Sequence, residues 1–214
     1  MLSVAVARCR SVFDIVVPVR CALCGRHGAH VCLDCCERLR SSQLLSRSAR
    51  TGTPELVALG AYTGSLRAAV LALKFRHRRA AAFRLGAILG SKLLHSIDII
   101  VPVPLHQDRL LSRGFNQAEV IAQGIASTFD TPLRRNALVR TRATTAQSSL
   151  ALRERGRNVN GAFALGSEGA LLRNLRVMIV DDVVTTGATA AACAAALTGG
   201  KVTWVIVAAL AVRL

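Results

Sequence analysis

From Leu56 to the last residues, short apolar runs alternate with amphipathic stretches. Leu56 to Tyr62 predicts a strand broken by Gly64, and Leu66, Val70 and Leu73 then recur at helical spacing. That helix ends in the basic cluster Lys74-Phe-Arg-His-Arg-Arg79, and a second helix is expected from Ala80 to His95. Asp98 to Pro104 reads as a buried strand stopped by two prolines, followed by a loop from Leu105 to Arg113. Gly114-Phe-Asn-Gln117 leads into an amphipathic helix reaching about Phe129. Leu133 to Arg140 is short and mixed. Ala162 to Leu165, Val177 to Val180 and Val202 to Leu210 predict strands, and Ala-rich Thr189 to Leu197 predicts a helix stopped by Gly199-Gly200. This alternation is that of an α/β protein, a mostly parallel sheet with helices on both faces.

The first fifty residues follow another pattern. Leu2, Val6, Cys9, Phe13 and Val16 or Val17 suggest a short amphipathic helix, and Arg8, Arg10 and Asp14 interrupt it too often for a membrane span or a signal peptide. Ser41 to Thr53 is polar and Ser/Arg-rich and reads as a linker or exposed loop. The expected organisation is therefore a head over residues 1–40 and a body over 54–214. Within the head lie Cys21-x2-Cys24 and, seven residues on, Cys32-x2-Cys35. Paired C-x2-C units suit one tetrahedral Zn²⁺, since each tight turn delivers two thiolates. The gap is shorter than the commonest zinc-ribbon spacing, and Cys36, His27 and His30 stand nearby as spare ligands. A disulfide pair and a redox C-x-x-C are the competing readings. A closed four-thiolate site would be structural, with no catalysis at the metal. Cys9 and Cys193 read as ordinary buried thiols.

Composition adds the nature of the partners. The chain has 214 residues, 52% hydrophobic, enough for a full core and an appendage, with a net charge of +16 dominated by Arg. Such an excess suits nucleotides, pyrophosphate or nucleic acid, although it also simply favours solubility. One Trp, one Tyr and six Phe provide few stacking platforms, so any DNA binding should be mainly electrostatic and salt-sensitive. With reduced thiols and no membrane span, a cytoplasmic location is expected.

The candidate chemistry lies in Val177-Met-Ile-Val-Asp-Asp-Val-Val-Thr-Thr-Gly-Ala-Thr189. A strand ends in Asp181 and Asp182, where open α/β sheets bind ligands. Thr185, Thr186, Gly187, Ala188 and Thr189 follow as a small, hydroxyl-rich turn into a helix, suited to cradle an anion with main-chain N–H groups. Carboxylates accept from sugar hydroxyls and amides attract phosphate, so a ribose 5-phosphate satisfies both halves. A solvated Asp-Asp pair capping the helix would explain the acids but not the loop. The run resembles the signature of the type I phosphoribosyltransferases, in which the acids hold the ribose hydroxyls of phosphoribosyl pyrophosphate (PRPP) and the loop holds its 5′-phosphate.

Five features in order resemble the ComF family, phosphoribosyltransferase-like proteins with a four-cysteine zinc head and a link to DNA uptake in natural competence. They are Cys21 to Cys35; Tyr62-x-Gly64-x-Leu66-Arg67 with Leu73-Lys74-Phe75-Arg76; Val101-Pro-Val-Pro104 with Arg113-Gly-Phe-Asn-Gln-Ala118; Gln147 to Leu150 with Arg155, Asn158 and Phe163; and the signature itself. The resemblance implies a type I phosphoribosyltransferase-like fold, PRPP as ligand, Mg²⁺ bridging pyrophosphate and ribose, and Asp181 and Asp182 as the catalytic pair. Arg109 and Arg113 are the leading pyrophosphate ligands, with Lys74 and Arg76 next, although a basic helix end is favourable by the dipole alone. Asn116 and Gln117 are expected to cap a helix rather than touch ligand. Thr141 to Arg157, with a brief helical pattern at Leu150 to Arg155, reads as a lid or a solvated loop. His77, His95 and His106 read as surface groups. Three functions follow: phosphoribosyl transfer with release of pyrophosphate, linked to DNA uptake or nucleotide metabolism; a non-catalytic PRPP- or nucleotide-sensing adaptor that binds single-stranded DNA or a DNA-translocation partner; or purine or pyrimidine salvage.

Overall fold

The apolar runs pair into one sheet, and its register decides what each run buries. The structure, a computed structural model, describes residues 19–50, 52–75, 78–94, 96–142 and 161–214. In chain order these form α1 (Leu33–Ser41), β1 (Leu45–Arg47), β2 (Glu55–Ala61), α2 (Gly64–Phe75), α3 (Arg79–Gly90), β3 (Ile99–Pro102), α4 (Gln107–Arg113), α5 (Gln117–Ala126), β4 (Leu138–Arg140), β5 (Phe163–Leu165), β6 (Arg176–Val184), α6 (Ala188–Thr198) and β7 (Trp204–Val212). Five strands lie in the order β1-β2-β7-β6-β3, parallel throughout except for β1, which runs antiparallel along the edge of β2. β4 and β5 form a separate antiparallel pair.

Strand alternation sends residues to two cores. Val57, Leu59, Ile100, Met178, Val180, Ile206 and Ala208 face α2, α3 and α5. Leu56, Ala58, Ile99, Val101, Val177, Ile179 and Val207 face α6 and the β4–β5 pair. Both faces are covered, which is why these strands read as unbroken apolar runs. The first core also takes in Cys21, Leu23, Val31, Cys35 and Cys36, so the cysteine head packs on the helices of one face. Lys92 Nζ ties the two together by donating to the carbonyls of Arg40, at 2.6 Å, and Ser42.

Several expected boundaries move. The linker expected at residues 41–53 contains β1, because Leu45 and Arg47 register against Ala58 and Leu56. The second helix stops at Gly90, five residues before His95, with the Ser91 hydroxyl donating to the Ile88 carbonyl at 2.9 Å. The helix expected to reach Phe129 ends at Ala126, where the Ser127 hydroxyl donates to Gly124 O at 2.7 Å. The loop expected over Leu105 to Arg113 is mostly helical. His106 caps α4 by accepting from Asp108 N at 3.3 Å, and Gly114 ends it at φ 69°. β6 does not stop at Val180, because its ladder with β7 continues to Val184↔Val212. The helix expected over Leu2 to Val17, most of the lid expected over Thr141 to Arg157, and Arg76, His77 and His95 lie outside the described residues.

Candidate active site and cysteine cluster

β6 carries the two acids in its last turns of pleat. Alternation gives them different neighbours. Asp182, 8% exposed, lies on the α2 side, and its Oδ2 pairs with Lys74 Nζ at 2.8 Å. Lys74 comes from the last turn of α2. Burial alone would lower its pKa, but the Asp182 and Asp181 carboxylates outweigh burial and hold the ammonium above its ordinary value. Asp181 Oδ1 accepts from the Asp182 N–H at 2.8 Å. Burial, and then the negative charge of Asp182, push the Asp181 carboxyl up to about 7 despite that hydrogen bond and Lys74. One buried ammonium therefore faces two carboxylates, and the pair shares a proton-sensitive charge.

The strand turns directly into a pocket lined by Asp181, Thr185, Gly187, Ala188 and Thr189. Gly187 sits at the start of α6 with φ 83°, a left-handed conformation that glycine adopts without strain. The Thr186 hydroxyl accepts from Ala188 N at 3.3 Å and closes the turn. The pocket is lined by the first residues of α6, so the positive end of that helix borders it. Arg47, from β1, approaches from the sheet edge: its Nη2 lies 3.6 Å from where a Cβ on Gly187 would stand.

Cations surround the acids. Asp182 and Asp181 both act electrostatically on Arg113 at the end of α4, as does Arg109 one turn earlier. Arg140, from β4, lies within the fields of Arg109 and Asp181, and its guanidinium stacks over Phe163 at 5.4 Å. Burial lowers the pKa of both Arg113 and Arg140, yet each starts so high that it keeps its charge. Arg113 Nη1 donates to Gln117 Oε1 at 3.1 Å. Asn116 caps α5 as expected, accepting from Ala118 N at 3.1 Å, while its Nδ2 holds the Val103 carbonyl at 3.0 Å. Lys74 at the end of α2 and Arg113 at the end of α4 thus interact with the acidic pair, and Arg109 of α4 acts on Arg113. Arg47 and Arg140 escape sequence reasoning: one sits in the supposed linker, the other in an unremarked mixed segment.

In the head, the Sγ atoms of Cys21, Cys24, Cys32 and Cys35 all lie within 4.8 Å of one another, and Cys24 and Cys32 are 3.6 Å apart. A Zn–S bond of about 2.3 Å implies a tetrahedron edge of about 3.8 Å, so the four sulfurs fit one zinc ion. None of the described cysteines is in a disulfide. Burial opposes ionisation of Cys21, but the N–H groups of Cys32, Cys24 and Leu23 bring its thiol down to about 6. Burial pushes the Cys35 thiol up to about 12, although Arg38 donates to its sulfur at 3.1 Å. Cys36 stands apart, directed at the Val31 carbonyl, and Cys193 is buried against α6's own core.

The chain is 35% identical over 179 residues to the DNA utilization protein YhgH of Salmonella typhimurium, covering 80% of this chain and 74% of that protein. It is 34% identical to the protein of the same name from Escherichia coli K12 over the same spans. Competence protein F of Haemophilus influenzae is 32% identical over 143 residues, 63% of this chain and 62% of that protein. The fold is α/β: a mostly parallel sheet covered on both faces, with a four-cysteine head. The chain belongs to the ComF family. No protein-family model matches it. Among solved structures, the glutamine PRPP amidotransferase from B. subtilis complexed with ADP and GMP aligns with a TM-score of 0.44 at 20% identity, over 62% of this chain and 26% of that one. A structure of the allosteric regulatory enzyme of purine biosynthesis gives 0.43 with the same identity and coverage, so the chain spans about a quarter of either protein's length.

Proposed function

We propose that this protein binds PRPP with Mg²⁺, transfers its phosphoribosyl group to an acceptor with release of pyrophosphate, and serves DNA utilization or uptake. The observation that carries this reading is the Asp181–Asp182 pair at the mouth of the Thr185–Thr189 loop, with Lys74 on one carboxylate and Arg109 and Arg113 in the same field. The acids take the ribose hydroxyls, and the loop takes the 5′-phosphate. Lys74, Arg109 and Arg113 take the pyrophosphate. In the transfer, the C1–oxygen bond breaks and its electron pair leaves with pyrophosphate, while the acceptor forms the new bond at C1. The ionised acids stabilise positive charge growing on the ribose, and the cations stabilise the leaving group. The carboxylate pair is suited to a hard cation, and Mg²⁺ arriving with PRPP would neutralise charge on the diphosphate.

Zn²⁺ is assigned to Cys21, Cys24, Cys32 and Cys35 as a structural ion, on the fit of the four sulfurs. Residues 1–40 are read as the head and 54–214 as the transferase-like body. The link to DNA rests on the names of the relatives, DNA utilization protein and competence protein, and on the net charge of +16. Among the described residues no helix is long and apolar enough to cross a membrane, and the unbridged thiols fit a cytoplasmic setting. Pyrophosphate release from PRPP and Mg²⁺, screened against nucleobases, nucleosides and single-stranded DNA, tests the reading. Release that depends on one acceptor and disappears in Asp182→Asn supports transfer. PRPP binding without release under any acceptor would instead favour the non-catalytic, sensing adaptor.

A further inference from the structure

Gln117 is unusual among the polar residues of this chain. It is 2% exposed, and with Asp182 it makes up the buried polar or charged residues of the described core. Its side chain spans a single turn back along the chain, from the start of α5 to Arg113 at the end of α4. The guanidinium is a donor only, so the atom facing it must be the amide oxygen. That fixes the orientation of the amide. It also leaves Nε2 buried, with no hydrogen-bond partner among the described residues. A buried amide donor left unmade is destabilising, whereas an apolar side chain of similar size would carry no such penalty there. Capping does not explain the residue, since Asn116 already caps α5. The arrangement is thus poor for stability and good for one thing: it holds Arg113.

We propose that Gln117 is a positioning residue that aims the Arg113 guanidinium at the pyrophosphate side of the Asp181–Asp182 site. Arg113 is the last residue before the left-handed Gly114 and ends a seven-residue helix, a short element that constrains its long side chain little. Oε1 takes one N–H of the guanidinium and the charges of Asp182 and Asp181 act on the same group, so an anion bridged to the acids would meet its other donors. Gln suits this place better than Glu. A carboxylate would neutralise Arg113, whereas an amide orients it and leaves its charge for the ligand.

The inference rests on the PRPP reading of the site, and two ligand fragments separate the two. Wild type, Gln117→Leu and Gln117→Met are titrated with inorganic pyrophosphate and, separately, with ribose 5-phosphate, both in Mg²⁺. The inference expects the variants to bind pyrophosphate at least about tenfold more weakly and ribose 5-phosphate within about twofold of wild type. Their unfolding midpoints should be equal to or above wild type, because the orphan amide is gone. In an Arg113→Ala background the Gln117→Leu change should have no further effect on pyrophosphate, since Gln117 acts through Arg113. Unchanged pyrophosphate binding, or equal loss of both fragments, overturns the inference. Failure of wild type to bind either fragment overturns the reading of the site beneath it.

Discussion

Asp181 and Asp182 are neighbours in sequence and unlike in chemistry. Asp182 is neutralised by Lys74, while burial and the charge of Asp182 hold the Asp181 carboxyl up at about 7. An unfolded aspartate titrates near about 3.9, so between about pH 4 and 7 the folded state binds the extra proton. The contribution of Asp181 to stability is therefore full below that window and is lost as pH rises through it. Asp181→Asn should remove this loss: the stability of wild type relative to the variant, from urea unfolding, falls from pH 4 to pH 7.5. A difference that rises with pH would contradict the environment described for Asp181. The same titration bears on ligand binding. Ribose hydroxyls and Mg²⁺ want the ionised form, so affinity for PRPP should increase from pH 6 to pH 8. The signature, the cysteines and the loop cations were legible as residue types in a fixed order. The separate fates of the two acids were not, because they depend on pleat parity and on a lysine more than a hundred positions away.

At the level of elements, the crossing of α3 and α5 is set by glycine. A methyl on Gly124 would fall on the Phe83 carbonyl and lie 2.8 Å from Ala87 N, and one on Gly86 would fall on the Ile121 carbonyl. Replacing a mid-helix glycine by alanine ordinarily stabilises by about 1 kcal/mol. Here backbone stands in the way and cannot rotate aside, so overpacking wins. Gly124→Ala should destabilise by about 2–3 kcal/mol, read as a lower urea midpoint. A stabilised variant would mean the helices separate freely. α5 also carries Asn116 and Gln117 at its start, so its seat on α3 positions one wall of the site. Periodicity revealed both helices but not their close approach, since a glycine in a helical pattern reads locally as a weakness. β1 was hidden in the same way: three residues in a polar segment become a strand only because β2 offers an edge.

Across the whole molecule, the cysteine head and the sheet share one core. Cys21, Val31, Cys35 and Cys36 are buried together with Val57, Leu73, Leu85 and Leu89. Metal at the head should therefore stabilise the body as well. The purified protein is expected to hold one zinc per chain by elemental analysis and to unfold in one calorimetric transition that moves down on chelation. Cys24→Ser, at an exposed ligand outside that core, should lose the zinc and show the lower midpoint without chelator. Two independent transitions, with only the smaller one sensitive to chelation, would contradict the shared core. The paired C-x2-C units made the cluster legible in sequence. Its packing on α2 and α3 was not, because the intervening segment reads as a linker.

The acids of β6 and the loop before α6 are proposed to bind PRPP together. Calorimetric titration of PRPP with Mg²⁺ into wild type and into Asp181→Asn/Asp182→Asn tests it most directly. Saturable one-to-one binding by wild type is expected, with its loss in a variant that remains folded. Absence of binding by folded, zinc-loaded wild type, or equal binding by both proteins, would contradict it.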